Sequence, residues 1–205
     1  YTETKQLQAL IKAVKSNKKS CLWDIGAAQG IYSLTATAAG AIKVVAFEPF
    51  EQSFQALVDN VKLNNFTKKV NTLKLAIGKQ SGYQPLFFGK ACPSMFNDTH
   101  EHTSSTRINV STIDELIKKG IPSPSIIKID IEGYELDALM GAKKLLSSPE
   151  KPPHLFIEIH DDYLKRIQKS HIDIFNLLET YGYSRNLTDE VKEGPRFLCH
   201  FVSTD

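Results

Sequence analysis

The chain has 205 residues, 41% of them hydrophobic and 23% charged, with 25 basic against 23 acidic side chains and a formal net charge of +2. That size and composition fit one compact domain with a sizeable core, exclude a disordered chain, and give no electrostatic reason to expect a nucleic acid as partner. Three cysteines without metal-ligand spacing, Cys21, Cys92 and Cys199, and the lack of any apolar run of bilayer length lead us to expect a cytoplasmic protein with reduced thiols and no membrane span.

Strand-like and helix-like stretches alternate from Cys21 onward, which predicts a mostly parallel sheet with helices on both faces. The first strand is Ser20 to Ile25, with Trp23 in the core, and it leads through Gly26 and Gly30 into a helix from Ile31 to Ala39. A second strand, Ile42 to Phe47, ends just before Glu48, and Glu51 to Leu63 follows as a helix with Phe54, Leu57, Val58 and Val61 at helical spacing. Val70 to Ile77 reads as one further strand. Tyr83 to Phe88 and Thr106 to Val110 read as extra strands flanking Gly89 to Ser105, a polar loop long enough to serve as a lid or substrate loop, with Met95 and Phe96 placed to close over a substrate. His100 and His102 in that loop lack a third ligand and read as exposed. Ser125 to Asp130 and His154 to Ile159 are two more strands, separated by a helix from Tyr134 to Leu146, and prolines at 122, 124, 152 and 153 stop the helices before them. The final part reads as a helix from Tyr163 to Thr180, then a hairpin in which Tyr183 to Leu187 returns into Arg196 to Val202.

Asp24, Glu48, Asp130 and Glu158 stand at or beside the ends of four strands, where open α/β sheets bind ligands, so a crevice lined with carboxylates is expected. The loop after the first strand does not carry the dinucleotide pattern: Ala28 and Ile31 occupy two of its three glycine positions. A carboxylate at Asp24 repels a pyrophosphate and attracts an ammonium, which favours S-adenosylmethionine, a cofactor with an ammonium, a sulfonium and no phosphate. Glu48 offers two acceptor oxygens to the two hydroxyls of a ribose, and Pro49 fixes the turn after it. Alternation along an extended strand would place Lys128, Asp130 and Glu132 on one side, with Asp130 facing the sulfonium and the incoming nucleophile. Glu158 and His160 repeat the pattern on the neighbouring strand, so His160 or Asp130 is the candidate base for a hydroxyl acceptor. A second reading gives Asp130, Glu158 and His160 to a divalent metal, Mg or Mn, because oxygen ligands with one imidazole suit such an ion.

The chain resembles the FkbM family of S-adenosylmethionine-dependent methyltransferases. The resemblance is carried, in order, by Trp-Asp-Ile-Gly-Ala-Ala-Gln-Gly-Ile-Tyr-Ser (23 to 33), Phe-Glu-Pro-Phe (47 to 50), Leu-Ala-Ile-Gly (75 to 78), Ser-Thr-Ile-Asp-Glu-Leu (111 to 116), Ile-Lys-Ile-Asp-Ile-Glu-Gly-Tyr-Glu (127 to 135) and Ile-Glu-Ile-His (157 to 160). It implies an α/β fold of the class I methyltransferase type, a Rossmann-like three-layer sandwich with a mostly parallel seven-stranded sheet in the order 3-2-1-4-5-7-6. Strand 7 would be antiparallel, and a small β insertion would follow strand 3. The resemblance also implies that Asp24, Gly26, Ala27 and Gly30 surround the methionyl part of the cofactor, with Tyr32 and Ser33 near its carboxylate. Glu48 and Pro49 would lie at the ribose, Ala76 beside the adenine and Asp130 near the sulfonium. Ala28 stands where many relatives carry Asn.

The expected activity is O-methylation of a sugar or glycan hydroxyl, with Asp130, Glu158 and His160 catalytic and Lys128, Glu132, His160 and Met95 on the substrate side. A small lipid or secondary metabolite would use the same site, and a nucleoside-binding module without catalysis is the rival of another class. The start at Tyr1 leads to the expectation that residues 1–205 form a single methyltransferase domain taken from a longer polypeptide, fused to other glycan-building domains.

Overall fold

A computed structural model describes residues 3–90, 92–96 and 102–204, His102 through its backbone only. The first part of the chain forms α1 (Glu3–Ser16), β1 (Cys21–Ile25), α2 (Ile31–Ala39), β2 (Lys43–Phe47), α3 (Glu51–Leu63) and β3 (Val70–Leu73). Then come β4 (Ala76–Ile77), β5 (Gly82–Gly89), β6 (His102–Ser111), α4 (Ile113–Lys118), β7 (Ile126–Ile129), α5 (Glu135–Met140) and α6 (Lys143–Leu146). The last part forms β8 (His154–His160), α7 (Asp161–Arg166), α8 (His171–Thr180), β9 (Tyr183–Arg185), β10 (Val191–Glu193) and β11 (Arg196–Ser203).

The main sheet runs β10-β11-β8-β7-β1-β2-β3 among the described residues. β3, β2, β1, β7 and β8 are parallel, and β11 enters antiparallel to β8. The place beyond β11 is divided: β9 pairs with Phe201 to Ser203 and β10 with Arg196 to Leu198. Asn186 divides it by turning the chain between the two strands, its side chain bonding Thr188 and Asp189. The expected hairpin thus exists with an additional short strand inside it.

Trp23, Val45, Ile127, Ile157 and Phe201 carry one face of the sheet onto α4, α5 and α8, whereas Leu22, Val44, Ile126 and Phe156 carry the other onto α1, α2 and α3. Trp23 is fully buried and its Nε1 donates to Pro122 O. α1 belongs to the second layer through Gln6, Ala9, Leu10, Ala13 and Val14, one face at helical spacing.

Three expected elements divide. Val70 to Ile77 is two strands in two sheets, because Glu48 N donates to Leu73 O at the end of β3 and the chain then turns to pair Ala76 with Val110 in the sheet β4-β6-β5. Tyr134 to Leu146 breaks at Gly141, where a Cβ would lie 2.2 Å from Gly78 O, and the Asp114 carboxylate accepts from Lys144 N and Leu145 N to start α6. Tyr163 to Thr180 breaks at Ser170, which forms a capping box with Asp173 and begins α8 afresh. No helix among the described residues is long and apolar enough to cross a membrane.

Candidate functional site

The ends of β1, β2 and β7 meet through their backbones. Gly26 has φ +78, and a Cβ there would lie 1.8 Å from Asp130 O, so any side chain would push β1 away from the end of β7. Gly26 N and Ala27 N both donate to Phe47 O. Ala28 adopts φ +47, a left-handed conformation that costs a side chain energy, and its N–H donates to Glu48 Oε2 at 2.9 Å. Glu48 Oε1 accepts from Phe50 N at 2.9 Å. Each carboxylate oxygen of Glu48 thus keeps a lone pair for a further donor. Burial pushes the Glu48 carboxyl above its ordinary range, while the two backbone donors oppose that shift.

Asp24 is fully buried. Its Oδ2 accepts from Ser33 N at 2.9 Å and Ser33 Oγ at 2.6 Å, tying β1 to the first turn of α2. Burial raises its pKa, with Lys128 and Ser33 pulling it back. Lys128, whose side chain is 5% exposed, lies 3.9 Å from Asp24 and 3.2 Å from Asp130, donates to Gly26 O at 3.2 Å, and sits over the Tyr32 ring. Burial would discharge it, yet Asp130 and Asp24 hold its pKa above the ordinary lysine value. The expectation of Lys128 as a substrate contact is corrected here: its cationic head is enclosed by Asp24, Asp130, Gly26 and Tyr32 and serves as the ionic hub of three strand ends. The Tyr32 hydroxyl donates to Gln6 Oε1 at 3.2 Å.

The strand before Asp130 ends at Ile129, so simple alternation does not extend to Glu132. A turn takes over, with φ +53 at Glu132 and +97 at Gly133, and it points both carboxylates toward His160. A Cβ at Gly133 would lie 2.4 Å from Tyr163 Cβ, which leaves glycine alone at that turn. His160 Nε2 lies 3.4 Å from Glu132, 3.6 Å from Glu158 and 3.9 Å from Asp130, and Nδ1 lies 2.9 Å from Glu135 Oε1. Glu135 Oε1 also accepts from Gly133 N. Burial alone would lower the His160 pKa, but Glu135, Glu132 and Asp130 hold it up at about 9. Glu158 is pushed up to about 7 by burial and the Asp130 charge, against His160, Lys128 and Arg196, whose guanidinium lies 3.2 Å away. Among the described residues, the set that brings three ligand atoms together within 4.8 Å is Asp130, Glu132 and His160. The expected metal set of Asp130, Glu158 and His160 is corrected on this point, because Arg196 holds Glu158 and the turn at Glu132 delivers that carboxylate in its place.

A cavity of about 220 Å³ lies against these strand ends. Gly26, Ala28, Glu48, Pro49, Ala76, Asp130, Glu132 and Met95 line it, together with Cys92 and an apolar wall of Leu75, Ile77 and Leu86. Asp24, Ala27, Gly30, Tyr32 and Ser33 stand behind the lining and shape the loop rather than forming the wall. Glu158 and Arg196 line a separate groove with Glu3, Leu7, Ile31 and Leu198. Cys92, Glu135 and Arg196 were missed by the sequence reading. Only Glu135 carried a signal, as the last residue of the 127 to 135 segment. His100 lies outside the described residues, as does part of the expected substrate loop; the part that is described pairs through Phe87 and Ser94 and brings Met95 to the cavity.

The parallel sheet with an antiparallel strand beside β8, and the carboxylate-lined cavity at its strand ends, define a Rossmann-like α/β fold of the class I methyltransferase type. Residues 24–185 match the Methyltransferase FkbM domain, and the chain belongs to that family. It is 29% identical over 152 residues to the hexuronic acid methyltransferase AglP of Haloferax volcanii, covering 71% of this chain and 58% of that protein. Among solved structures it is similar to the methyltransferase FkbM from Methylobacillus flagellatus KT, with a TM-score of 0.62 and 22% identity over 90% of this chain and 44% of that one. The precorrin-6y C5,15-methyltransferase from Geobacter metallireducens GS-15 shares the fold with a TM-score of 0.58 and 13% identity, covering 97% and 87%. The chain therefore spans roughly half the length of the FkbM relatives it matches.

Proposed function

We propose that the protein is an S-adenosylmethionine-dependent O-methyltransferase that acts on a hydroxyl of a sugar or glycan. The observation that carries this reading is the placement of Glu48 and Asp130, two carboxylates from the ends of β2 and β7, on one cavity beside the Gly26 loop. The donor set fits the cofactor: Glu48 retains acceptor capacity for a ribose, Leu75, Ala76, Ile77 and Leu86 offer an apolar wall for a purine, and Asp130 supplies negative charge for a sulfonium. When bound, S-adenosylmethionine supplies an electrophilic methyl group. The chain's part is to align an acceptor hydroxyl with that methyl and to take one proton.

On this reading the proton goes to Glu158. Its carboxyl is pushed up to about 7 by burial and the Asp130 charge, and it lines a groove together with Arg196. His160 stands beside it, with Nε2 3.6 Å from the Glu158 carboxylate. The sugar acceptor rests on the family and on the relative from Haloferax volcanii, which modifies a hexuronic acid. Incubation with methyl-labelled S-adenosylmethionine and a panel of mono- and oligosaccharides should give a labelled, mass-shifted sugar and S-adenosylhomocysteine in equal amounts. Cofactor binding with no labelled product from sugar, lipid or small-molecule hydroxyls would reduce the protein to a binding module.

A further inference from the structure

We propose that Asp130, Glu132 and His160 form a binding site for one divalent cation of the Mg²⁺ or Mn²⁺ class. The three residues come from the turn after β7 and the end of β8, and their ligand atoms lie within 4.8 Å of one another. An ion with bonds of about 2.1 Å fits among donors at that separation after small side-chain movements. Each donor is left available by its other contacts. Lys128 engages Asp130 Oδ2, so Oδ1 is the oxygen that faces His160. Glu132 pairs with no lysine or arginine among the described residues; the Cys92 thiol hydrogen-bonds its carboxylate, and Oε2 lies 3.4 Å from His160 Nε2.

His160 supplies the observation that separates this set from an ordinary acidic cluster. Its side chain is 4% exposed, Nδ1 is committed to Glu135, and Nε2 is aimed at the carboxylates without a hydrogen bond among the described residues. A carboxylate on one imidazole nitrogen with the other aimed at a polar gap is the arrangement that orients metal-bound histidines. Glu135, itself fully buried and bonded to Gly133 N, is rigid enough to fix that orientation. Two carboxylates and one imidazole, with room for water on the cavity side lined by Asp130 and Glu132, suit a hard cation more than a thiolate-seeking one. Cys92 also lines the cavity but is not among the three.

The site stands on geometry alone; its role rests on the methyl transfer proposed above. There a cation would favour loss of the acceptor proton to Glu158 as the oxygen–carbon bond forms and the carbon–sulfur pair leaves with sulfur. The test is a Mn²⁺ titration of the whole chain, freed of metal, followed by electron paramagnetic resonance, with S-adenosylhomocysteine binding measured on the same samples. One Mn²⁺ per chain is expected, with an imidazole nitrogen coupling in the pulsed spectrum. Glu132→Gln should weaken the site by about ten- to a hundredfold, whereas Glu115→Gln, a surface acid elsewhere, should not. The nitrogen coupling is read on the unaltered protein, so the result does not depend on the variant folding. No stoichiometric Mn²⁺, or Mn²⁺ without nitrogen coupling, overturns the site. S-adenosylhomocysteine binding without Mn²⁺ leaves the methyltransferase reading intact, and Mn²⁺ with nitrogen coupling but no S-adenosylhomocysteine binding does the reverse.

Discussion

Lys128→Met is expected to destabilise the protein by about 3–5 kcal/mol, because it leaves buried carboxylates without their cation. Lys128 lies between Asp24, which is fully buried, and Asp130, and it also satisfies Gly26 O. Methionine matches the aliphatic stem but brings no charge, so Asp24 has to take up a proton to remain buried. Urea denaturation near neutral pH measures the loss as a lower midpoint. Adding Asp24→Asn, which keeps an acceptor for Ser33, should recover part of it, and the double-mutant cycle then gives the coupling of the pair. A loss below about 1 kcal/mol would mean that the three strand ends are held by their backbones alone.

Glu158→Gln is expected to lower turnover by about 10²- to 10⁴-fold while leaving S-adenosylhomocysteine affinity unchanged. Glu158 lines a groove separate from the cavity proposed for the cofactor, so removing its charge leaves that cavity's wall as it is. The sign of the pH dependence follows from the same group. A base works only when deprotonated, and the Glu158 carboxyl is pushed up to about 7, so wild-type activity should rise as pH increases through neutrality. That limb should disappear in the variant. A variant that retains the limb would move the proton acceptor to another group, and one that loses cofactor affinity along with turnover would make Glu158 a structural residue.

The order of strands and the carboxylates at their ends were legible in sequence because both depend on short-range patterns: apolar runs, an acid after each run, and glycines where the chain turns. What the carboxylates do was less legible. Asp24 reads in sequence as a ligand contact, but the helix that follows it puts Ser33 on its oxygen and closes it from the cavity. Glu132 reads as a continuation of strand alternation, yet it reaches His160 only because the strand stops at Ile129 and the backbone turns through positive φ. Arg196 is 38 residues from Glu158 and meets it through the antiparallel pairing of β11 with β8, a juxtaposition that no local pattern carries. The helix division at Ser170 was written in a local signal, its capping box with Asp173, that apolar periodicity runs across, whereas the one at Gly141 depends on a close approach to the distant Gly78 O.

The most direct test of the account is calorimetric titration of the protein with S-adenosylhomocysteine, with NAD in a parallel experiment and Glu48→Ala as the variant. Binding of one S-adenosylhomocysteine per chain is expected, with little binding of NAD. A loss of about 2 kcal/mol, roughly thirtyfold in affinity, is expected when the Glu48 carboxylate is removed. Tighter binding of NAD, or an affinity for S-adenosylhomocysteine that Glu48→Ala leaves unchanged, would contradict it.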